Sequence, residues 1–263
     1  MQGTQTVTMA ALELTLTISA CLGCKVCPQG KLAAAYQNRQ FARRLTFADF
    51  VTALSKLPKD VEIHFSGFSE PFLHPGAPAM IHEACRQGFG VQLYTTLMGL
   101  TENGAAVLRD CRFNAVRLHL PDQKHLRINA DIWLSQFELF KTTGHKYTAM
   151  AMSNVEEPIA TALEKAGVEI ELPDMLSRGG ALWKPRHLTG PIRCTANRWH
   201  NNVMLPDGSV VVCCMDWGLS MPLGNLLTDS YAQISEKAEA YARNTNPPDD
   251  SICRDCEWAS NAN

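Results

Sequence analysis

From Leu12 to about Pro173 the chain switches repeatedly between two hydrophobic periods. Leu12, Leu14, Leu16 and Ile18 alternate with Glu13, Thr15, Thr17 and Ser19, the period of two that marks a β-strand with one buried face. The stretches VEIHFSGF (61–68), VQLYTTL (91–97), AVRLHL (115–120), KYTAMAM (146–152) and VEIEL (168–172) are further strand candidates. Between them the apolar residues return at helical spacing, in TFADFVTALSKL (46–57), APAMIHEACRQG (77–88), ENGAAVLRDC (102–111), ADIWLSQFELFKTTG (130–144) and EEPIATALEKAG (156–167). Gly88, Gly144 and Gly167 stand just past three of these helices, where a left-handed residue commonly closes the last turn. Strands separated by crossover helices predict a parallel sheet, with functional loops at the C-terminal ends of the strands.

After Asp174 the rhythm breaks. Residues 175–193 are rich in Gly, Pro and Arg and read as a crossing segment. NNVMLPDGSVVVCCMDW follows, two strand-like runs about a Pro206-Asp207-Gly208 turn, the signal of a hairpin. A helix over 230–244 and a terminal C-x2-C complete the chain. No repeat or low-complexity tract interrupts it.

Composition narrows the function. With 263 residues the chain suits one large domain, or one plus a small appendage. It is 46% hydrophobic and 19% charged, with a net charge of −2, a balance unlike that of a nucleic-acid-binding surface. LTISAC before Cys21 could pass for a lipoprotein box, but no Lys or Arg precedes it, and Glu13, Thr15 and Thr17 interrupt the apolar run. No segment approaches the ~20 apolar residues of a membrane span, and a cytoplasmic location is expected.

In such a compartment the ten cysteines are expected to be metal ligands rather than a disulfide framework. They cluster at the two ends: Cys21, Cys24 and Cys27 in front, Cys194, Cys213, Cys214, Cys253 and Cys256 behind. Cys85 and Cys111 lie in helical patterns and read as small buried hydrophobes. Three thiolates can hold three irons of a 4Fe–4S cluster and leave the fourth open; zinc is the other reading of C-x2-C spacing.

With its cysteine triad after the first strand and Ser66-Gly67-Phe68-Ser69-Glu70-Pro71 after the second, the chain resembles the radical S-adenosylmethionine (SAM) superfamily. The rear set resembles the auxiliary-cluster module called twitch, the short form of the SPASM domain: Cys194, Gly208 with Cys213 five residues on, and Cys253-Arg-Asp-Cys256. The resemblance covers nearly the whole chain. It implies a partial (β/α)6 TIM-like barrel of parallel strands over residues 1–186. A small hairpin and helix cluster-binding domain follows over 187–263.

The same resemblance implies site residues. Cys21, Cys24 and Cys27 would hold the SAM-binding cluster, and Cys194, Cys213, Cys253 and Cys256 an auxiliary 4Fe–4S cluster, with Cys214 competing with Cys213. Ser66, Gly67, Glu70, Pro71, Thr95, Thr96, Ser177 and Arg178 would contact SAM, Glu70 belonging to the turn that takes its amino group. His119 and Asp122 are candidates on the substrate side. Two departures stand out: Ala20 occupies the place of the family's first cysteine, with Cys21 one residue late, and Val26 replaces the usual aromatic residue before the last cysteine.

The implied activity is reductive cleavage of SAM to a 5′-deoxyadenosyl radical that abstracts hydrogen from a substrate, with electrons from an external flavodoxin- or ferredoxin-like reductant. An auxiliary cluster suits a net two-electron oxidation. The first predicted strand opens within about ten residues of the start, so no leader-peptide domain is expected ahead of it. That favours a small polar or sugar-like substrate over the alternative, maturation of a ribosomal peptide by crosslinking or epimerisation. A non-enzymatic zinc or iron–sulfur module is the reading from another class.

Overall fold

The computed structural model describes residues 11–18, 22–37 and 43–262. Eleven strands and seven α-helices follow in chain order among them: β1 (Ala11–Leu14), α1 (Gln29–Gln37), α2 (Phe47–Ser55), β2 (Glu62–Phe65), α3 (Ala77–Arg86), β3 (Val91–Thr95), α4 (Glu102–Leu108), β4 (Ala115–His119), α5 (Ala130–Lys141), β5 (Thr148–Met150), α6 (Glu157–Lys165), β6 (Ile170–Glu171), β7 (Ile192–Cys194), β8 (Asn201–Met204), β9 (Ser209–Val211), β10 (Pro222–Asn225), α7 (Tyr231–Arg243) and β11 (Ala259–Asn261). The first six strands form a parallel sheet in sequence order.

Alternation along each strand divides the sheet into two faces. Leu12, Leu14, Ile63, Phe65, Val91, Leu93, Val116 and Leu118 join the helix residues in one buried core. The alternate positions are polar: Glu13 pairs in register with His64, His64 with Gln92, and Tyr94 with Arg117. A wholly apolar sheet would have filled the concave side with packing; this one leaves it available for chemistry. The expected helix-end glycines are left-handed, with φ of +81° at Gly88, +75° at Gly144 and +70° at Gly167.

The C-terminal hairpin joins the same sheet. Strand β8 pairs in parallel with β1, Ala11 opposite Asn201 and Leu14 opposite Met204, and β9 and β10 follow antiparallel. Nine strands thus run in the order β10-β9-β8-β1-β2-β3-β4-β5-β6. Strands β7 and β11 form a separate antiparallel pair, and residues 172–191 contain neither helix nor strand.

Two differences from the sequence reading have plain causes. The predicted strand over 12–19 leaves the sheet after Leu14, because Thr17 bridges antiparallel to Arg44 and Leu16 accepts from Leu45 N. Helix α1 carried no periodic signal: in QGKLAAAYQ only Leu32 and Tyr36 are buried, and its alanines form no apolar stripe.

Candidate active site

The loops at the C-terminal ends of the parallel strands enclose a cavity of about 220 Å³. Cys24 and Cys27 line it from the first loop, Ser66, Gly67 and Glu70 from the second, Thr95 and Thr96 from the third, and His119 and Asp122 from the fourth. Arg178 and Cys214 reach the same cavity from the C-terminal half. Eleven of the residues singled out in the sequence therefore meet in one place. Cys21 lies outside the described residues.

Cys24 and Cys27 are paired as a disulfide, their Cα atoms 5.5 Å apart. This differs from the free thiols expected, and the reason is proximity: the loop aims both sulfurs at one point, an arrangement open to a disulfide or to two ligands of one metal centre. Only the reduced pair can ligate iron. The cysteine loop is braced on both sides, since Lys25 N donates to His125 O at 2.8 Å and Gln29 Nε2 to Phe68 O at 2.6 Å.

The turn after β2 is fixed by Glu70. Its Oε1 accepts from the Thr95 hydroxyl (2.5 Å) and Phe72 N (3.1 Å), and its Oε2 from Thr96 N (2.6 Å) and the Thr96 hydroxyl (2.7 Å). Burial pushes the carboxyl above its usual range, while the donors from Thr95, Thr96 and Phe72 pull the other way. Four donors fill the acceptor positions of one carboxylate. Glu70 therefore locks the turn against β3, and Pro71, first residue of the short helical turn that follows, is buried outside the cavity wall. Gly67 has φ of +62°, and Phe68 N donates to Thr15 Oγ1 at 3.0 Å.

Ser177 is placed differently from the sequence expectation. Its hydroxyl donates to Glu257 Oε2 at 2.6 Å, beyond the cavity wall. The reason is the fold of the crossing segment, which turns Ser177 toward the terminal C-x2-C and its neighbour Arg178 into the cavity. Arg178 has φ of +58° and donates from Nε to Val26 O at 3.4 Å. Burial lowers its pKa, and Cys214, Glu257 and Glu13 oppose that shift.

His119 is pushed down to about 4 by burial, then by Arg178 and Arg117, so it is neutral near pH 7. Asp122 Oδ1 accepts from Lys124 N, His125 N and the Ser153 hydroxyl at 2.8, 2.6 and 2.6 Å, whereas its buried Oδ2 has no partner among the described residues. Trp217 presents the converse: a buried Nε1 donor without a partner among the described residues, its ring 4.7 Å from Phe68. The sequence reading passed over Trp217. Its only signal was an aromatic residue four places after Cys213.

The two adjacent cysteines open the turn after β9, closed by Asp216 N donating to Cys213 O at 3.1 Å, and their side chains diverge there. Cys214 lines the cavity and is pushed up to about 12 by burial and then by Glu13. Cys213 turns to the other side, where burial, Cys214 and Cys253 raise it. Cys194, Cys253 and Cys256 line a second cavity of about 30 Å³. Burial is the main cause that lifts Cys253 to about 11 and Cys256 to about 12, with Cys194 adding to both. Three soft ligands thus line one small space, and Cys213 is close enough to feel Cys253; such a donor set fits an iron–sulfur cluster, which stabilises the thiolate that burial alone disfavours. Among the described residues, no three His, Cys, Asp or Glu side chains are grouped so as to hold a single metal ion.

Residues 194–257 match the model of the SPASM family, an iron–sulfur cluster-binding domain. Similar solved structures include BtrN in complex with AdoMet and 2-DOIA, at 16% identity and a TM-score of 0.66, over 94% of this chain and 92% of that one. The chain shares the fold of that structure, and its C-terminal part is SPASM-like. The same fold aligns with anSMEcpe with bound AdoMet, at 13% identity and a TM-score of 0.62, over 94% of this chain and 86% of that one. A third similar structure is Streptococcus suis SuiB bound to precursor peptide SuiA, at 10% identity and a TM-score of 0.67, over 96% of this chain and 70% of that one. No curated protein matches the sequence. Among the described residues no helix is long and apolar enough to cross a membrane.

Proposed function

We propose that the chain is a radical SAM enzyme that removes two electrons overall from a small polar, sugar-like molecule. One observation carries the reading: Cys24, Cys27, the Glu70 turn, Thr95, Thr96 and Arg178 converge on a single cavity at the strand ends. When bound, the reduced cluster and SAM supply a one-electron cleavage that yields a hydrogen-abstracting organic radical.

The chain's own residues bind and orient. Cys24 and Cys27, once reduced, and Cys21 from the same loop are the thiols of the first cluster. Cys194, Cys213, Cys253 and Cys256 are those of the second, with Cys214 left to the barrel cavity. The Ser66–Pro71 turn, held by Glu70, offers backbone groups to the amino end of SAM, and the Arg178 guanidinium faces its carboxylate. Phe68 and Trp217 exclude water. Asp122 Oδ2 offers an acceptor and Trp217 Nε1 a donor to a hydroxyl-bearing substrate, and neutral His119 offers a ring nitrogen for a hydrogen bond. The flanking division is residues 1–186 for the barrel and 187–263 for the cluster domain.

A peptide substrate is the second reading, supported by the overlap with peptide-bound SuiB. Anaerobic purification followed by metal analysis and a 5′-deoxyadenosine assay tests the function. About eight irons per chain and SAM-dependent product after reduction are expected, with the Cys24→Ala variant inactive. Stoichiometric zinc without iron, or no 5′-deoxyadenosine from the reduced iron-loaded protein, would overturn it. Coupled turnover with sugar alcohols against peptides separates the two substrate classes, and a flavodoxin or ferredoxin as electron source tests the reductant.

A further inference from the structure

We propose that Glu257 is a positioning residue: seated in the turn after Ser177, it holds Arg178 in the cavity wall and so ties the terminal C-x2-C to the SAM site. This rests on the function proposed above. Arg178, Gly179 and Gly180 have successive φ values of +58°, +61° and +75°. Consecutive turns of this kind gather backbone N–H groups into a concavity that receives an anion. The anion here is the Glu257 carboxylate, whose Oε2 accepts from the Ser177 hydroxyl at 2.6 Å and from Gly179 N at 3.4 Å. The Ser177 hydroxyl in turn accepts from Gly180 N at 3.1 Å.

The turn is pressed between both halves of the rear cysteine set. A Cβ on Gly180 would lie 2.7 Å from Asp255 Cβ, and one on Gly179 would lie 3.1 Å from Met215 O. Asp255 sits inside the C-x2-C and Met215 two residues past Cys213. Arg178 is the non-glycine member of the turn, in a conformation that L-residues adopt only when their surroundings impose it. Glu257 supplies that constraint. In return the Arg178 side chain crosses to the cysteine loop, where Nε donates to Val26 O next to Cys27. Its two terminal nitrogens make no hydrogen bond among the described residues while the side chain lines the cavity. A planar two-nitrogen fork suits a carboxylate.

The test uses the anaerobically reconstituted holoprotein as wild type, Glu257→Gln, Ser177→Ala, Arg178→Ala and the Glu257→Gln/Arg178→Ala double variant. Two quantities are read: the KM for SAM in 5′-deoxyadenosine release, and the SAM-induced change in the EPR spectrum of the reduced front cluster. Loss of a charge-assisted contact predicts a KM raised roughly tenfold in Glu257→Gln and in Ser177→Ala. The EPR change should then require correspondingly more SAM. If Glu257 acts through Arg178, the double variant is no worse than Arg178→Ala alone. An unaltered KM in Glu257→Gln, or additive losses in the double variant, would overturn the inference. Should Glu257→Gln lose iron, Ser177→Ala decides alone, because Ser177 lies far from the cysteines in sequence. A wild type whose spectrum ignores SAM overturns the functional reading and the inference together; a responsive wild type with unaltered variants overturns only the inference.

Discussion

Glu70 receives both the backbone amide and the hydroxyl of Thr96 on one carboxylate oxygen, at 2.6 and 2.7 Å. This pair joins the turn after β2 to the end of β3, two walls of the cavity. A Glu70→Gln substitution keeps the shape but turns one acceptor into a donor facing other donors. The expected cost is about 1–3 kcal/mol, seen as a fall of several degrees in the calorimetric midpoint. An unchanged midpoint would show that the network does not hold the turn.

Gly67 packs against β1 so closely that a Cβ there would overlap Thr15 Oγ1 and lie 2.9 Å from Thr15 N, and its φ is +62°. Backbone cannot retreat as a flexible side chain can. Gly67→Ala is expected to destabilise by more than about 1 kcal/mol and to weaken SAM binding through the displaced turn. Gly88→Ala, with no atom within 4 Å of its Cβ but φ of +81°, is the control: strain without the overlap. Equal losses at both positions would refute the close-approach argument.

Cys214 lines the barrel cavity and Cys213 does not, which predicts different iron counts. Cys213→Ala should lose the auxiliary cluster, about four irons, and Cys214→Ala should retain it. The reverse result would make Cys214 the ligand and would require the end of the hairpin to turn over.

His119 bears on pH dependence. Its folded-state pKa, about 4, lies below the ordinary 6.5 because of burial, then Arg178 and Arg117. Between those values the unfolded chain binds the proton and the folded one does not. Stability attributable to this residue therefore rises with pH through that window and levels off above about 6.5. The change amounts to up to about 3 kcal/mol. Urea unfolding at pH 4.5 and pH 7.5 should show a smaller pH difference for His119→Gln than for wild type. Parallel pH profiles would mean that His119 titrates alike in both states.

Much of this site was legible because its parts are local. A cysteine triad and a Glu-Pro turn declare themselves over a few residues, and their order relative to strands of period two places them at the same end of a parallel sheet. Asp122 drew notice only by following a strand, and the unpartnered Oδ2 that gives it interest depends on which three donors occupy Oδ1. Ser177 was expected on the cofactor; its actual partner Glu257 is 80 residues away, a distance over which no local pattern carries information. Trp217 and Arg178 reach the cavity from the C-terminal half for the same reason.

Hydrophobic periodicity and cysteine spacing by themselves determined the order of β1 to β6, the crossover helices, the hairpin at Pro206–Gly208 and the two sets of thiols. These depend on contacts between residues near in sequence, or on ligands that one metal cluster gathers. Tertiary structure alone decided that β8 lies in parallel beside β1, that Cys214 and not Cys213 lines the barrel cavity, and that the rear cysteine loop grips the turn holding Arg178. Those outcomes depend on pairing and packing between distant segments, where the free energy lies in the fit of two surfaces rather than in either sequence.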